Sequence, residues 1–188
     1  MLEKLKRYIF IKRTTKFINA NVRDSRFVNY EKAKTILLLF ESDYSEKNIL
    51  IRRIIRNLTN DGKKVCAWGY IEKKEITTAI LPDFSILNQK DTDLFRKPKV
   101  SFTNELDEME FDLLIDLTVN EVLTLQYIAL HANAFCKTGV VKNELKIFDF
   151  ALNLDNVNNN NDEETVDVNP RYIFDQIIFY LKSIQTKD

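Results

Sequence analysis

Polar side chains that could bind a ligand or take part in catalysis lie in or just after three apolar runs, which we predict to be β-strands. Asp43 follows TILLLF at residues 35–40, Asp116 and Thr118 end FDLLIDLT at residues 111–118, and Lys137 lies in AFCKTGV at residues 134–140. Open parallel sheets bind ligands at the carboxyl ends of their strands. Carboxylate, hydroxyl and ammonium groups there suit a nucleotide or a sugar phosphate. The four residues are therefore one predicted ligand site.

Asp116 also has a purely structural interpretation. A carboxylate at the end of a strand can accept hydrogen bonds from the backbone of the turn that follows it. In that case Asp116 stabilises the turn and takes no part in chemistry. The sequence does not decide between a ligand-binding and a turn-capping role for Asp116.

The composition excludes several classes of active site. One histidine, two cysteines and three glycines argue against a histidine-based metal cage, a zinc ribbon and a glycine-rich phosphate loop. The sequence contains no Ser–His–Asp, Cys–His or P-loop arrangement. We therefore expect no metal and no cofactor. The shortage of residue types and motifs that form active sites favours a protein that is not an enzyme.

The charged side chains divide the chain into a basic beginning and an acidic remainder. Residues 1–30 carry a net charge of +6, whereas the whole chain is neutral. Such asymmetry indicates a basic arm on an acidic body. We predict that the arm docks on an anionic partner, either RNA in a ribonucleoprotein or an acidic protein surface. The basic side chains predicted to bind it are Lys4, Lys6, Arg7, Lys12, Arg13, Lys16, Arg23 and Arg26.

Strands and helices alternate from residue 35 onward. An amphipathic helix at residues 45–60 separates TILLLF from a second strand at residues 63–70, which predicts a βαβ unit. The whole pattern predicts an α/β fold, a Rossmann-like three-layer sandwich with a mainly parallel sheet of about five strands. We assign residues 1–30 to a basic helical arm and residues 31–188 to one α/β domain, with an Asn-rich loop at residues 155–168. The arm helix has a short apolar stripe of Leu2, Leu5 and Ile9.

The expected compartment is cytoplasmic. The sequence has no apolar run of the roughly 18 residues that a membrane span needs, and its basic beginning lacks the apolar core of a secretory signal. Cys66 and Cys136 lie in strand-like runs, so we interpret both as buried and reduced thiols.

Several stretches resemble known families. FVNYEKAKTILLLF, DGKKVCAWGYI, DTDLFRKPK, FDLLIDL, YIALHANAFCKTG and DQIIFYLKSI resemble a family of small Bacteroidetes proteins of unknown function. That resemblance implies a cytosolic α/β protein and no particular reaction. Residues 111–140 are also similar to part of the N-terminal half of heptosyltransferase-type glycosyltransferases. This second likeness implies a shared Rossmann-like architecture. The alternative function is a nucleotide or sugar-phosphate binding protein that uses the strand ends.

Overall fold

The computed structural model describes residues 2–42, 46–72, 84–154 and 167–184. The helices are α1 (Leu2–Ala20), α2 (Glu46–Asn60), α3 (Val100–Asp107), α4 (Leu123–His131) and α5 (Pro170–Ser183), with a short 3₁₀ turn at Gln89–Asp91. The strands are β1 (Thr35–Glu41), β2 (Lys64–Tyr70), β3 (Ser85–Leu87), β4 (Phe111–Asp116), β5 (Ala134–Val140) and β6 (Phe150–Leu152).

The described strands form one sheet in the order β3-β2-β1-β4-β5-β6. Every neighbouring pair is parallel, so the predicted α/β class with a parallel sheet is confirmed. The sheet has six strands rather than about five because each edge carries a strand of three residues, β3 and β6. Strands this short leave a weak periodic signal in the sequence.

The sheet is covered on both faces, which explains the continuous apolar run of its central strand. Successive side chains of a strand point to opposite faces. Ile36 and Leu38 of β1 therefore pack in one core with side chains of α2 and α5. Leu37 and Leu39 pack in a second core with side chains of α1, α3 and α4. The result is the predicted three-layer arrangement.

Two helix ends are formed by residue types that are typical of helix termini. The Asn169 side chain accepts hydrogen bonds from the backbone amides of Arg171 and Tyr172, both at 3.0 Å, and Pro170 opens α5. Gly62 follows α2 with a φ of 76°. That left-handed conformation is open to glycine at little cost and lets the chain leave the helix and enter β2.

Helix α1 packs on the body through a different face from the predicted one. Leu2 and Leu5 of the predicted stripe are half exposed, and the buried residues are Lys6, Phe10 and Thr14. Only one of these three buried residues is apolar, so the buried face gives no hydrophobic periodicity. The sequence pattern therefore did not indicate which face of α1 packs on the body. That residues 1–30 and residues 31–188 are separate folding units stays a prediction.

The two thiols differ in their surroundings. Cys136 is buried, as predicted, whereas Cys66 is only partly buried, so the prediction for Cys66 was wrong. Cys66 lies near the start of β2, where the strand is less covered than at its carboxyl end. Neither cysteine forms a disulfide bond. Residues 155–166, which make up most of the predicted Asn-rich loop, lie outside the described residues.

Candidate functional site

The strand order places a ligand crevice between β1 and β4. The chain leaves β1 toward β2 on one side and leaves β4 toward β5 on the other, and this reversal opens a crevice at the carboxyl ends. The Asn120 amide donates a hydrogen bond of 3.0 Å to the Glu41 carboxylate across it. Clefts of about 430 and 530 Å³ lie on the two sides of this bridge. Asp43, predicted to lie here, is outside the described residues.

Asp116 ends β4 as a buried ion pair. One carboxylate oxygen accepts hydrogen bonds from the Thr118 amide at 2.9 Å and the Thr118 hydroxyl at 2.7 Å. The other accepts from the Lys142 ammonium group, and the two charged side chains are 0 and 2% exposed. Asp116 therefore stabilises the turn after β4, in agreement with the structural interpretation. The sequence analysis did not identify Lys142, because no local sequence pattern links two residues that are 26 positions apart.

Lys137 does not join Asp116 and Thr118. Its side chain is buried, and its ammonium nitrogen donates to the Leu130 carbonyl at 2.9 Å, near the end of α4 that leads into β5. Burial lowers the pKa of Lys137 to about 7, and the positive charge of Arg23 lowers it further. The structure thus brings together two of the four predicted ligand-site residues and places Lys137 apart from them.

The Lys137→Met substitution is expected to change how stability depends on pH. Because Lys137 titrates near pH 7 when folded and near 10.4 when unfolded, the unfolded state binds more protons between those values. The wild-type free energy of unfolding therefore rises across this interval. We expect the advantage of the methionine variant over the wild type to shrink by about 3.5 kcal/mol between pH 7 and pH 10. Urea unfolding of both proteins across this range measures it. A difference that stays constant with pH contradicts the buried, neutral lysine.

A network that the sequence analysis missed lines the larger cleft. The Arg96 guanidinium donates to the Tyr70 hydroxyl at 3.1 Å and to the Glu72 carboxylate, and the Tyr70 hydroxyl donates to Glu72 at 3.0 Å. Arg96 has a φ of 67°, and the Thr124 hydroxyl donates to its carbonyl at 2.9 Å. Burial, together with the hydrogen bond to Glu72, raises the pKa of Tyr70 to about 12.

The lining of both clefts is acidic. Four carboxylates and one guanidinium line the larger cleft, namely Glu3, Glu41, Glu72, Glu121 and Arg96. Glu41 and Asp167 line the smaller one, which has no basic lining residue among those described. A surface of this charge repels a phosphate group. The crevice therefore has the position of a ligand site without the charge that a nucleotide or sugar phosphate needs.

Five of the eight basic side chains predicted to bind an anion are used within the chain. The Arg23 guanidinium contacts both oxygens of Asp149 and the Ala134 carbonyl, which fixes the segment after α1 to the start of β5. The other four are paired as Lys6 with Glu3 at 2.6 Å, Arg7 with Glu121 at 2.6 Å, Arg13 over the Phe95 ring at 5.2 Å and Arg26 over the Phe135 ring at 3.7 Å. These contacts stabilise the fold and leave the side chains less available to a partner.

The remaining three basic side chains form a row on α1. Lys4, Lys12 and Lys16 are exposed and make no ion pair with any described residue. With Tyr8, which is 63% exposed, they occupy every fourth position of the helix, so their side chains cover an arc of about 120° on one face. We call Lys4, Tyr8, Lys12 and Lys16 the lysine row. Its face points away from the body, because Phe10 and Thr14 are buried on the opposite side.

Two absences hold for the described part of the chain. Within it, no three histidine, cysteine, aspartate or glutamate side chains come close enough together to hold a metal ion. Its helices are also too short or too polar to cross a membrane.

The family of the chain follows from its sequence over residues 6–167, which match the model of DUF6913, a family of unknown function. The chain belongs to this family. The predicted resemblance to a family of unknown function is thus confirmed in its general form. The matched residues of this DUF6913 member include α1 from Lys6 onward and all six strands. No curated protein and no solved structure matches the chain significantly.

Proposed function

We propose that the protein is a non-enzymatic interaction module that docks on an anionic partner through the lysine row of α1. RNA in a ribonucleoprotein and an acidic protein surface both carry the charge that this row attracts. We also propose a cytoplasmic location, where the thiols of Cys66 and Cys136, which form no disulfide bond, stay reduced.

The observation that carries this proposal is that Lys4, Lys12 and Lys16 have no ion-pair or ring partner among the residues that the structure describes. The arginines of residues 1–30 have carboxylate or aromatic partners there. Exposed lysines without partners are already hydrated and flexible, so an anionic surface meets them without breaking a contact of the fold. Lys12 and Lys16 also lie within the part of the chain that the family model matches.

The alternative, binding of a nucleotide or sugar phosphate, has one structural observation in its favour. The clefts beside Glu41 and Asn120 lie where open α/β sheets bind ligands. Their acidic lining opposes a phosphate, and Asp116 and Lys137 are both engaged in contacts of the core. We therefore place the proposed function on α1 and not on the crevice.

Replacing Lys4, Lys12 and Lys16 together by glutamine is expected to remove most binding to a polyanion. Three neutralised charges on a single strand give a slope of about −2 in log K against log salt. The measurement is fluorescence anisotropy with oligouridylate and with polyglutamate from 50 to 300 mM salt. We expect both the slope and the affinity at low salt to fall in the triple variant.

A matched control removes the same charge elsewhere. Lys34, Lys64 and Lys146 are exposed and lie outside α1, so their replacement by glutamine is expected to lower affinity much less. Equal losses of affinity in the two triple variants would show that polyanion binding depends on the net charge of the protein and not on a defined docking face. Unchanged binding in the α1 variant would refute the proposal.

A further inference from the structure

We infer that the partner of the lysine row is an acidic segment of a protein that also carries apolar side chains, and not RNA. This inference rests on the proposed function and names the chemistry of its partner. It joins three observations on α1 and the segment after it: an open outward face along the helix, exposed aliphatic side chains beside the lysines, and the contacts that the arginines make within the chain.

The outward face of α1 is an open surface to which this helix alone contributes. The face extends from Tyr8 to Ala20 and includes Ile11, Lys12 and Lys16. Twelve helical steps correspond to a length of about 18 Å. Apolar side chains and two ammonium groups lie together on this face, which suits a short peptide with both apolar and acidic side chains.

Aliphatic side chains lie on the other side of the lysine row. Leu2 and Leu5 are 52 and 50% exposed. On the helix surface Leu5 is three positions from Tyr8 of the lysine row and lies at nearly the same angle about the helix axis as Lys12, so a partner that covers the row also contacts Leu5. A protein segment can bury these side chains against its own apolar residues. A phosphate–sugar backbone offers them no apolar partner.

The arginines of residues 1–30 point to the same partner. Arginine is the side chain that most often recognises phosphates and bases, because its guanidinium binds in a bidentate manner and stacks on rings. Arg7 and Arg23 are paired with carboxylates, and Arg13 and Arg26 lie over phenylalanine rings. The docking face is thereby left with lysines, which pair with single carboxylates as point charges.

The spacing of the lysines defines the acidic pattern of the partner. Lys12 and Lys16 are one helical turn apart, about 6 Å along the axis. Two carboxylates match this spacing at positions i and i+4 of a helix, or at positions i and i+2 of an extended strand. The partner segment therefore has glutamate or aspartate at one of these spacings, with an aliphatic or aromatic residue beside them.

The test compares two probes with three variants of the full chain. The probes are a 16-residue helical peptide with Glu at i and i+4 flanked by Leu, and a 12-residue oligouridylate, which carries about one negative charge per nucleotide and is therefore the more strongly charged of the two. In Leu2→Ser/Leu5→Ser the lysine row is intact and exposed apolar area is lost. Tyr8→Leu keeps apolar area and loses a ring on which a base could stack. The third variant is the triple lysine-to-glutamine protein. Titration calorimetry at 100 mM salt measures the affinities, and thermal melts check that each variant is folded.

The inference predicts that the wild type binds the peptide at least tenfold more tightly than oligouridylate. Leu2→Ser/Leu5→Ser is expected to weaken peptide binding about tenfold and the triple lysine variant to abolish it. Tyr8→Leu is expected to weaken peptide binding less than Leu2→Ser/Leu5→Ser does, because leucine keeps an apolar contact at that position. A peptide with Ser in place of Leu is expected to bind about tenfold more weakly than the original.

The contrary outcomes separate the two proposals. Tighter binding of oligouridylate, with a loss in Tyr8→Leu and none in Leu2→Ser/Leu5→Ser, overturns the acidic-protein inference and leaves the proposed function in place. Equal binding of the Leu and Ser peptides also overturns the inference, because charge alone then accounts for the contact. Failure of the wild type to bind either probe overturns both.

Discussion

Replacing Phe10 by alanine is expected to lower the free energy of unfolding by about 3–5 kcal/mol, the usual cost of removing a buried ring. Phe10 is fully buried although it lies in the most basic part of the chain. Its ring meets the Tyr127 ring edge to face, with centroids 4.8 Å apart, and it belongs to the core that Leu37 and Leu39 of β1 also form. The substitution leaves a cavity between α1 and α4 that backbone movement fills incompletely.

Chemical denaturation with a tryptophan signal measures this effect, since Trp68 is buried in the same core. Tyr8→Ala on the exposed face of α1 is the matched control, and we expect it to change stability by no more than about 0.5 kcal/mol. A loss of less than about 1 kcal/mol in Phe10→Ala would favour the sequence-based division at residue 30, with α1 as a separable arm. A loss in the expected range makes α1 part of the folding unit.

Replacing Lys142 by methionine is expected to cost about 3–5 kcal/mol, because it leaves the Asp116 carboxylate buried without its opposite charge. The carboxylate would keep the two hydrogen bonds from Thr118, but these do not neutralise it. Methionine retains most of the length and volume of the lysine stem, so the loss reports the charge rather than a cavity. Guanidinium denaturation of the variant near pH 7 provides the measurement.

The double variant Asp116→Asn/Lys142→Met tests the cause. An asparagine at position 116 still accepts hydrogen bonds from Thr118 and carries no charge, so we expect the double variant to recover about 2 kcal/mol or more of the loss. If the two substitutions instead add, the ion pair does not couple these residues and the cost has another origin. The same two variants also test whether ligand binding in the crevice between β1 and β4 requires the Asp116 carboxylate, because the crevice lies at the same end of the sheet.

The strand pattern was predictable because burial on both faces forces a particular composition. A strand between two helical layers has no solvated side, so β1 and β4 appear as continuous apolar runs. The helices α2 and α5 are solvated on one side and show apolar residues at helical spacing, with Asn169 and Gly62 at their ends. These signals are local, and the parallel fold follows from their alternation.

The sequence was least informative about α1. Its basic residues lie on most sides of the helix, and its buried residues are Lys6, Phe10 and Thr14. Which side of such a helix is buried depends on the surface that it meets, here α4 with Tyr127. That surface is assembled from residues more than a hundred positions away, and no local period records it.

The charges show the same division between what the sequence determined and what the tertiary structure decided. Composition along the chain established that residues 1–30 are basic and the remainder acidic, because charge is a property of each residue type. Only the fold decided that Arg7 meets Glu121, that Arg23 meets Asp149 and that Lys142 neutralises Asp116. Such pairs depend on distances between elements remote in sequence, and a charge interacts strongly only over a few ångströms in water and salt. Which lysines have no partner among the described residues, and with them the proposed docking face, is therefore a product of the tertiary structure.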